Sequence, residues 1–346
     1  MRDNGICILC IQETHLETNE YFVDDGFCIF FSGCTPPNGG RSYAGVGFII
    51  SPWMVKSVVC FQAISDRLAT LRVKVRGGIT TFISAYAPHS GLPFEERHAF
   101  FDQLSDLIKP RTSHSTCIVV GDLNAKLGAP RADEQTILGP FSFKCALQNI
   151  ATTSNRDLLM ECCRSNRLFV AASFFEQPLE AQVTYRSLTS KPMDEITDTR
   201  FAQIDHTLVP LDDYDTVLAC WSSRTDALNS HHFPIFVSLA IEFDRQAKPR
   251  KCSVPNIDAL RDKTECVHFG HRFSTAIKGP TESIEKHACF VQNEHDLYEI
   301  LVFCAFVHRR QKHVNTDVFA VCGKHRKTCM CCFLFFSTES RSHAAA

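Results

Sequence analysis

Glu13, Tyr86, Asp122, Asn124, Asp205, His231 and His232 lie in five short segments of a 346-residue chain. These are Ile11-Gln12-Glu13-Thr14-His15, Tyr86-Ala87-Pro88, Gly121-Asp122-Leu123-Asn124, Gln203-Ile204-Asp205-His206 and Ser230-His231-His232-Phe233-Pro234. Each borders a short apolar run, so buried strands would deliver these side chains to one rim of a sheet. A glutamate at a strand end suits Mg²⁺, a hard cation that takes one or two carboxylates and completes its shell with water and phosphate. Asp122 would orient or deprotonate a water, and the Asn124 amide would donate to a phosphate oxygen. The same Asp-x-Asn spacing also makes an Asx turn. Tyr86 offers a hydroxyl to a phosphate or a ring face to a sugar. An Asp205 carboxylate accepting from the His232 ring would fix the tautomer and favour the imidazolium. Singly, each residue has an ordinary structural use; as an ordered set they describe metal-assisted cleavage of a phosphodiester.

Positioning such a set requires many strands. Residues 5–12 form a continuous apolar run, the pattern of a strand covered on both faces, and 27–32 and 45–51 are further strand candidates. Leu71, Val73 and Val75 alternate with charged residues before Gly77-Gly78, which predicts a hairpin into 79–86. Apolar spacing of three and four predicts a helix over 93–108, with Pro93 in its first turn and Pro110 ending it. Residues 117–121 predict a buried strand and 154–164 a second helix. Strands follow at 168–171, 182–186, 202–209, 217–221 and 233–241. Strands outnumber helices and several pair locally, so the expected fold class is α/β: a four-layer sandwich of two packed mixed sheets flanked by helices. The expected domain spans 1–243. Residues 244–346 read as a connector with one or two short helices over 257–277, then a partly disordered tail.

The chain is 45% hydrophobic and 21% charged, as globular proteins are. Its net charge of −2 does not by itself advertise nucleic-acid binding. The charge is uneven: residues 1–245 carry 21 Lys and Arg against 28 Asp and Glu, while 246–346 carry 15 against 10. A compact acidic cation site would account for part of the negative excess. Of the 18 cysteines, Cys7, Cys10, Cys117, Cys162 and Cys163 sit inside apolar runs, where Cys acts as a small buried hydrophobe. Met1-Arg2-Asp3-Asn4-Gly5 runs straight into a strand-like segment without a signal peptide. No apolar run reaches the roughly 18 residues of a membrane span. The expectation is a reduced, intracellular monomer, nuclear or cytoplasmic, with no membrane partner. In the tail, Cys322, His325, Cys329 and Cys331 or Cys332 make only a loose zinc spacing, so no zinc site is expected.

The ordered motifs resemble the endonuclease/exonuclease/phosphatase superfamily, and more narrowly the apurinic-type endonuclease domain of non-LTR, LINE-like retrotransposons. The resemblance rests on IQETHL (11–16), GVGFIIS (45–51), SAYAPH (84–89), VVGDLN (119–124), residues 154–168, QIDHTLV (203–209) and SHHFPI (230–235), and covers about residues 5–242. Asp258–Asp262 (DALRD) also looks like the connector that follows the nuclease in such elements. Carried over by position, the resemblance implies that Glu13 binds metal and Tyr86 contacts the scissile phosphate. It makes Asp122 the acid that positions or activates water, Asn124 its neighbouring amide, and Asp205 the partner of the histidine, His232. The implied activity is Mg²⁺-dependent hydrolysis of DNA, leaving a nick with a 3′-hydroxyl able to prime reverse transcription.

Two departures bear on activity. The family's first strand, which carries an asparagine at the metal site, has no counterpart in the 12 residues before Glu13. The domain therefore reads as N-terminally truncated, with the edge of the adjacent strand exposed. The family's Ser-Asp-His has become Ser230-His231-His232. Imidazole is a poor Mg²⁺ ligand but acceptable to Mn²⁺ or Zn²⁺, so His231 at the metal position predicts weak or absent activity with Mn²⁺ favoured over Mg²⁺. The alternatives are a catalytically dead retrotransposon remnant, or another phosphodiesterase or phosphatase of the superfamily acting on a phospholipid, an inositol phosphate or RNA.

Overall fold

The computed structural model describes residues 1, 5–35, 42–109, 115–143, 155–197, 199–226, 230–243 and 330–336, the last stretch by its backbone alone. The chain divides into one unit of Met1–Asp244 with Val318–Ala346, and a second of Arg245–Asp317 that lies outside the described residues. The connector at 258–262, the helices expected over 257–277 and the cysteine and histidine side chains of the tail also lie outside them.

Two mixed sheets make the first unit. The strands of the larger are β1 (Ile6–Gln12), β2 (Glu20–Asp24), β3 (Phe27–Ser32), β4 (Val46–Ile50), β13 (Val217–Ser222), β14 (Ile235–Leu239) and β15 (Met330–Phe336). Their spatial order is β13-β14-β15-β1-β4-β3-β2. The second sheet contains β5 (Val58–Ala63), β6 (Leu68–Val75), β7 (Gly78–Tyr86), β8 (Ser115–Asp122), β9 (Leu168–Val170) and β12 (Asp205–Pro210), in the order β5-β6-β7-β8-β12-β9. A two-stranded ribbon, β10 (Tyr185–Arg186) with β11 (Phe201–Ala202), stands apart. The described α-helices are α1 (Phe94–Ile108) and α2 (Asn155–Asn166), and short 3-10 turns occupy Val55–Ser57, Ala171–Phe174, Leu179–Ala181 and Leu211–Thr216.

Period-two patterning explains the layering. Ile118 and Val120 of β8 point into the space between the sheets with Phe82, Leu71, Val73, Phe30, Phe48 and Cys10. Their neighbours Cys117 and Val119 point outward, under Phe100, Phe101 and Leu104 of α1 and Leu159, Met160 and Cys163 of α2. Burying each large apolar side chain contributes about 1.5–3 kcal/mol, so both faces of β8 are secured. The expected α/β sandwich of two packed mixed sheets is the architecture, and both described helices cover the six-stranded sheet. A smaller cluster on the outer face of the seven-stranded sheet joins Leu9, Ile11, Ile29 and Phe31 to Met1, Leu16 and Phe22.

Several local expectations shift. The hairpin turn falls on Arg76 and Gly77, with Gly77 at φ +85 and Gly78 already in β7. The strand expected over 182–186 contracts to Tyr185–Arg186, and two unanticipated strands, β2 and β5, lie at the sheet edges with mostly half-buried or exposed residues, although β5 opens on the run Val-Val-Cys-Phe. The edge of β1 is not exposed. β1 pairs antiparallel with β4 on one side and with β15 on the other, and β15 in turn pairs parallel with β14. A C-terminal segment thus fills the slot beside β1. Its seven residues, Met-Cys-Cys-Phe-Leu-Phe-Phe, form a continuous apolar run of strand length that the expectation of a disordered tail passed over.

Candidate active site

Three neighbouring strands deliver three site residues in one row. β7 and β8 run parallel with Tyr86 opposite Asp122, and β8 and β12 run antiparallel with Asp122 opposite Asp205. Gly121 makes this row possible. Its φ is +155, and a Cβ there would lie 1.9 Å from the Ala85 carbonyl oxygen on β7. Only glycine lets the two strand ends approach so closely. Past the row, Asp122 Oδ1 accepts from the Asn124 backbone N–H at 2.8 Å, and Oδ2 from the Asn124 amide at 3.1 Å. The Asn124 amide also donates to the Ala87 carbonyl at 2.9 Å. The Asx turn and the carboxylate–amide pair are therefore one arrangement.

Glu13 comes from the other sheet, at the end of β1. The Tyr86 hydroxyl donates to its Oε1 at 2.8 Å. Beneath this contact Gln12 donates to the Ser84 hydroxyl at 2.9 Å, which donates to the Ile11 carbonyl at 3.1 Å. That buried polar bridge locks the ends of β1 and β7 together. Glu13 and Asn124 both have left-handed backbones, with φ of +55 and +48. This conformation is costly for non-glycine residues and clusters where a surrounding structure fixes a functional side chain.

His232 arrives just before β14 and donates from Nδ1 to Asp205 Oδ2 at 3.0 Å. Asp205 has 1% of its surface exposed, and its Oδ1 has no hydrogen-bond partner. Its backbone N–H, and that of Ile204, donate to the Thr184 hydroxyl. Burial alone would push the His232 imidazolium below its usual pKa. The carboxylates of Asp205, Asp122 and Glu13 outweigh burial and hold it at about 9, so the ring is cationic at neutral pH. Burial and the Asp205 carboxylate push Asp122 well above the usual carboxylate range, with Glu13 adding to them; His232 and the Asn124 N–H act against them. Burial and Glu13 likewise keep the Tyr86 hydroxyl protonated.

The structure thus brings together six of the seven residues singled out in the sequence, in three contacts: Glu13 with Tyr86, Asp122 with Asn124, and Asp205 with His232. His231 stands differently. Its Nδ1 is buried without a partner, and burial together with Arg186 and His232 lowers its pKa, so the ring is neutral near pH 7. Its carbonyl accepts the Arg186 backbone N–H at 2.9 Å.

Sequence reasoning missed Tyr185. Its backbone bridges to His232, and its ring meets the imidazole edge-on with centroids 5.0 Å apart. Asp122 and Glu13 both contribute to its raised pKa, after burial, so its hydroxyl sits in the same electrostatic neighbourhood. Missed too was Asn155 at the start of α2. Its amide donates to the Pro88 and Leu123 carbonyls at 2.7 and 3.3 Å, tying down the loops after β7 and β8. Arg97 of α1 supports Asn155 in turn, at 3.3 Å from its side-chain oxygen. Both are buried polar residues on helices, and an apolar-periodicity reading passes over them.

The endonuclease/exonuclease/phosphatase family model matches residues 5–220, a span holding Glu13, Tyr86, Asp122, Asn124 and Asp205. The chain belongs to this family. Craniofacial development protein 2 of Tragulus javanicus is 26% identical over 152 residues, which are 44% of this chain and 25% of that protein. The chain therefore spans about a quarter of the length of the curated relatives it matches. Among solved structures, the AP endonuclease LMAP of Leishmania major is 14% identical, with 68% of this chain and 78% of that one covered and a TM-score of 0.49. The endonuclease domain of TRAS1, a telomere-specific non-LTR retrotransposon, is 15% identical, with 61% and 76% covered and a TM-score of 0.39.

The family implies a divalent cation, and the residues present fit one at Glu13. Its carboxylate, with Oε1 held by Tyr86, faces a neighbourhood in which burial and the Asp205 carboxylate push Asp122 above the usual carboxylate range and Asp205 keeps a buried oxygen unpartnered. Among the described residues no three His, Cys, Asp or Glu side chains close around a common point. No described helix is long and apolar enough to cross a membrane.

Proposed function

We propose that this chain is a divalent-metal-dependent phosphodiesterase, a DNA-nicking endonuclease of retrotransposon origin. The observation that carries the reading is the row Tyr86–Asp122–Asp205 with its partners Glu13, Asn124 and His232. It places a buried acid, a phenolic donor and a cationic imidazole within one site. Glu13 would hold Mg²⁺, or Mn²⁺, which when bound supplies positive charge to the phosphate oxygens. Asp122, its pKa raised by burial and the Asp205 carboxylate, accepts a proton from water that attacks phosphorus. Asn124 fixes that carboxylate through two contacts and so sets the direction of attack. His232, kept cationic by Asp205, donates to a phosphate oxygen and stabilises the charge that builds up in the transition state. Tyr86 remains a neutral donor, oriented by Glu13. The DNA substrate and the retrotransposon origin are supported by the ordered motifs.

His231 supports a weakened form of this activity. A neutral ring beside Arg186 stands where a metal-holding carboxylate is expected, and lowers the negative charge available to a cation. The test is His231→Asp on supercoiled plasmid. The variant should nick more strongly in Mg²⁺ than wild type, with a smaller preference for Mn²⁺, and leave ends that a polymerase extends. Equal nicking in Mg²⁺ by both proteins removes His231 as the cause of any weakness. Activity confined to a phospholipid or inositol phosphate replaces the endonuclease reading with that of another superfamily phosphodiesterase or phosphatase.

A further inference from the structure

Arg67, just before β6, lies beside Tyr86 but was not among the residues the sequence singled out. Its guanidinium carbon sits 5.0 Å from the centre of the Tyr86 ring, and its Nη1 donates to the Tyr86 carbonyl at 3.4 Å. It is close enough to the Tyr86 hydroxyl to oppose the rise in that group's pKa. The backbone around it is pinned to the loop that carries Glu13. The Ser65 carbonyl accepts from the Ser32 hydroxyl, the Asp66 carbonyl from Gly45 N–H at 2.7 Å, and the Arg67 carbonyl from Tyr86 N–H at 2.9 Å. Gly45 in turn accepts from Thr14 N–H at 3.1 Å, next to Glu13.

This rigid placement has no structural carboxylate to serve: among the described residues no Asp or Glu pairs with Arg67, although Asp66 is its neighbour in sequence. An arginine always carries its charge and presents five N–H donors, and here one is engaged, at the long distance of 3.4 Å. Arg186 on the other flank is more fully engaged: its two terminal nitrogens reach the Ser190 and Ser230 carbonyls, and its Nε is buried without a partner. Arg67 is half-buried at this rim with one of its five N–H donors engaged.

We infer that Arg67 binds a backbone phosphate next to the one that Tyr86 addresses, so that the site takes a polynucleotide and not an isolated phosphate ester. The inference rests on the phosphodiesterase reading but is tested by binding, independently of cleavage. Arg67→Gln retains an N–H donor for the Tyr86 carbonyl while losing the charge; Arg67→Lys retains the charge. Affinity for a short fluorescein-labelled DNA duplex is measured by anisotropy over a salt series in the full-length protein. Wild type should bind with a negative slope of log K against log salt. Arg67→Gln should bind less tightly and lose about 0.9 from that slope, the loss of one phosphate contact. Arg67→Lys should keep the wild-type slope. An unchanged slope in Arg67→Gln, or no duplex binding by wild type, overturns the proposal. Binding that depends on Arg67 with no cleavage of any plasmid leaves the proposed contact standing and sinks the phosphodiesterase activity instead.

Discussion

Asp205 holds His232 through one oxygen and buries the other unpartnered, so its charge is what keeps the imidazolium. Replacing it by asparagine preserves the shape and a hydrogen bond but removes that charge. In Asp205→Asn the His232 ring should titrate below its ordinary 6.5 instead of at about 9, because burial then prevails. Imidazole NMR over pH 5–10 reads this directly; a ring still titrating near 9 would mean that Asp122 and Glu13 suffice. The raised value also couples to folding. The contribution of His232 to stability is complete below pH 6.5 and is lost as pH rises through about 9, since the folded state then no longer binds an extra proton. Six of the site residues were legible as types and order. What the sequence withheld was what supports them: the Thr184 hydroxyl under the Asp205 backbone, the Tyr185 ring against His232, and the Ser84 hydroxyl bonded to Gln12 beneath Glu13. Each comes from a segment distant in sequence, and none belongs to a residue type that stands out.

Among the elements, the β7–β8 pair is the least tolerant of change. Gly121→Ala would place a methyl group 1.9 Å from the Ala85 carbonyl oxygen on a backbone with positive φ. The expected loss is more than about 2 kcal/mol of stability, by strain and by separation of the strand ends. Urea denaturation measures it, and a change under 0.5 kcal/mol would show that the sheet simply spreads. β15 makes a second case. Replacing residues 330–336 by a Gly/Ser stretch would unpair the facing edges of β1 and β14, which carry Glu13 and adjoin His232. Amides of β1 and β14 that face β15 should lose protection in hydrogen exchange while those of β7 and β8 keep it; unchanged protection would mean that β15 is dispensable. The buried strands were legible because runs such as Cys-Ile-Val-Val follow from being covered on both faces. β2 and β5 went unread: both are edge strands whose residues are mostly exposed or half-buried and which owe their form to a neighbour, although the Val-Val-Cys-Phe run of β5 was there to be read.

For the whole molecule, the two sheets meet so that one carries Glu13 and the other the Tyr86–Asp122–Asp205 row. The site therefore exists only while the sandwich is closed. The buried Arg156–Glu134 pair, at 2.6 Å and with both residues almost fully buried, ties α2 to the loop after β8. It joins Asn155 in supporting the site from behind. The general architecture could be read from strand-rich patterning; the apolar run of the closing strand was also visible, but its place beside β1 was not, because pairing across more than 300 residues leaves no local trace. Whether this row makes a metal-dependent phosphodiesterase is decided by plasmid nicking in Mg²⁺ and in Mn²⁺ by wild type, Glu13→Ala and Asp122→Asn, with folding of each checked by thermal melting. Wild type should nick in a metal-dependent way, Asp122→Asn should fall by about 10²–10⁴-fold, and Glu13→Ala should lose the response to metal. Nicking that survives both substitutions, or a well-folded wild type that nicks in neither metal, would contradict the phosphodiesterase reading.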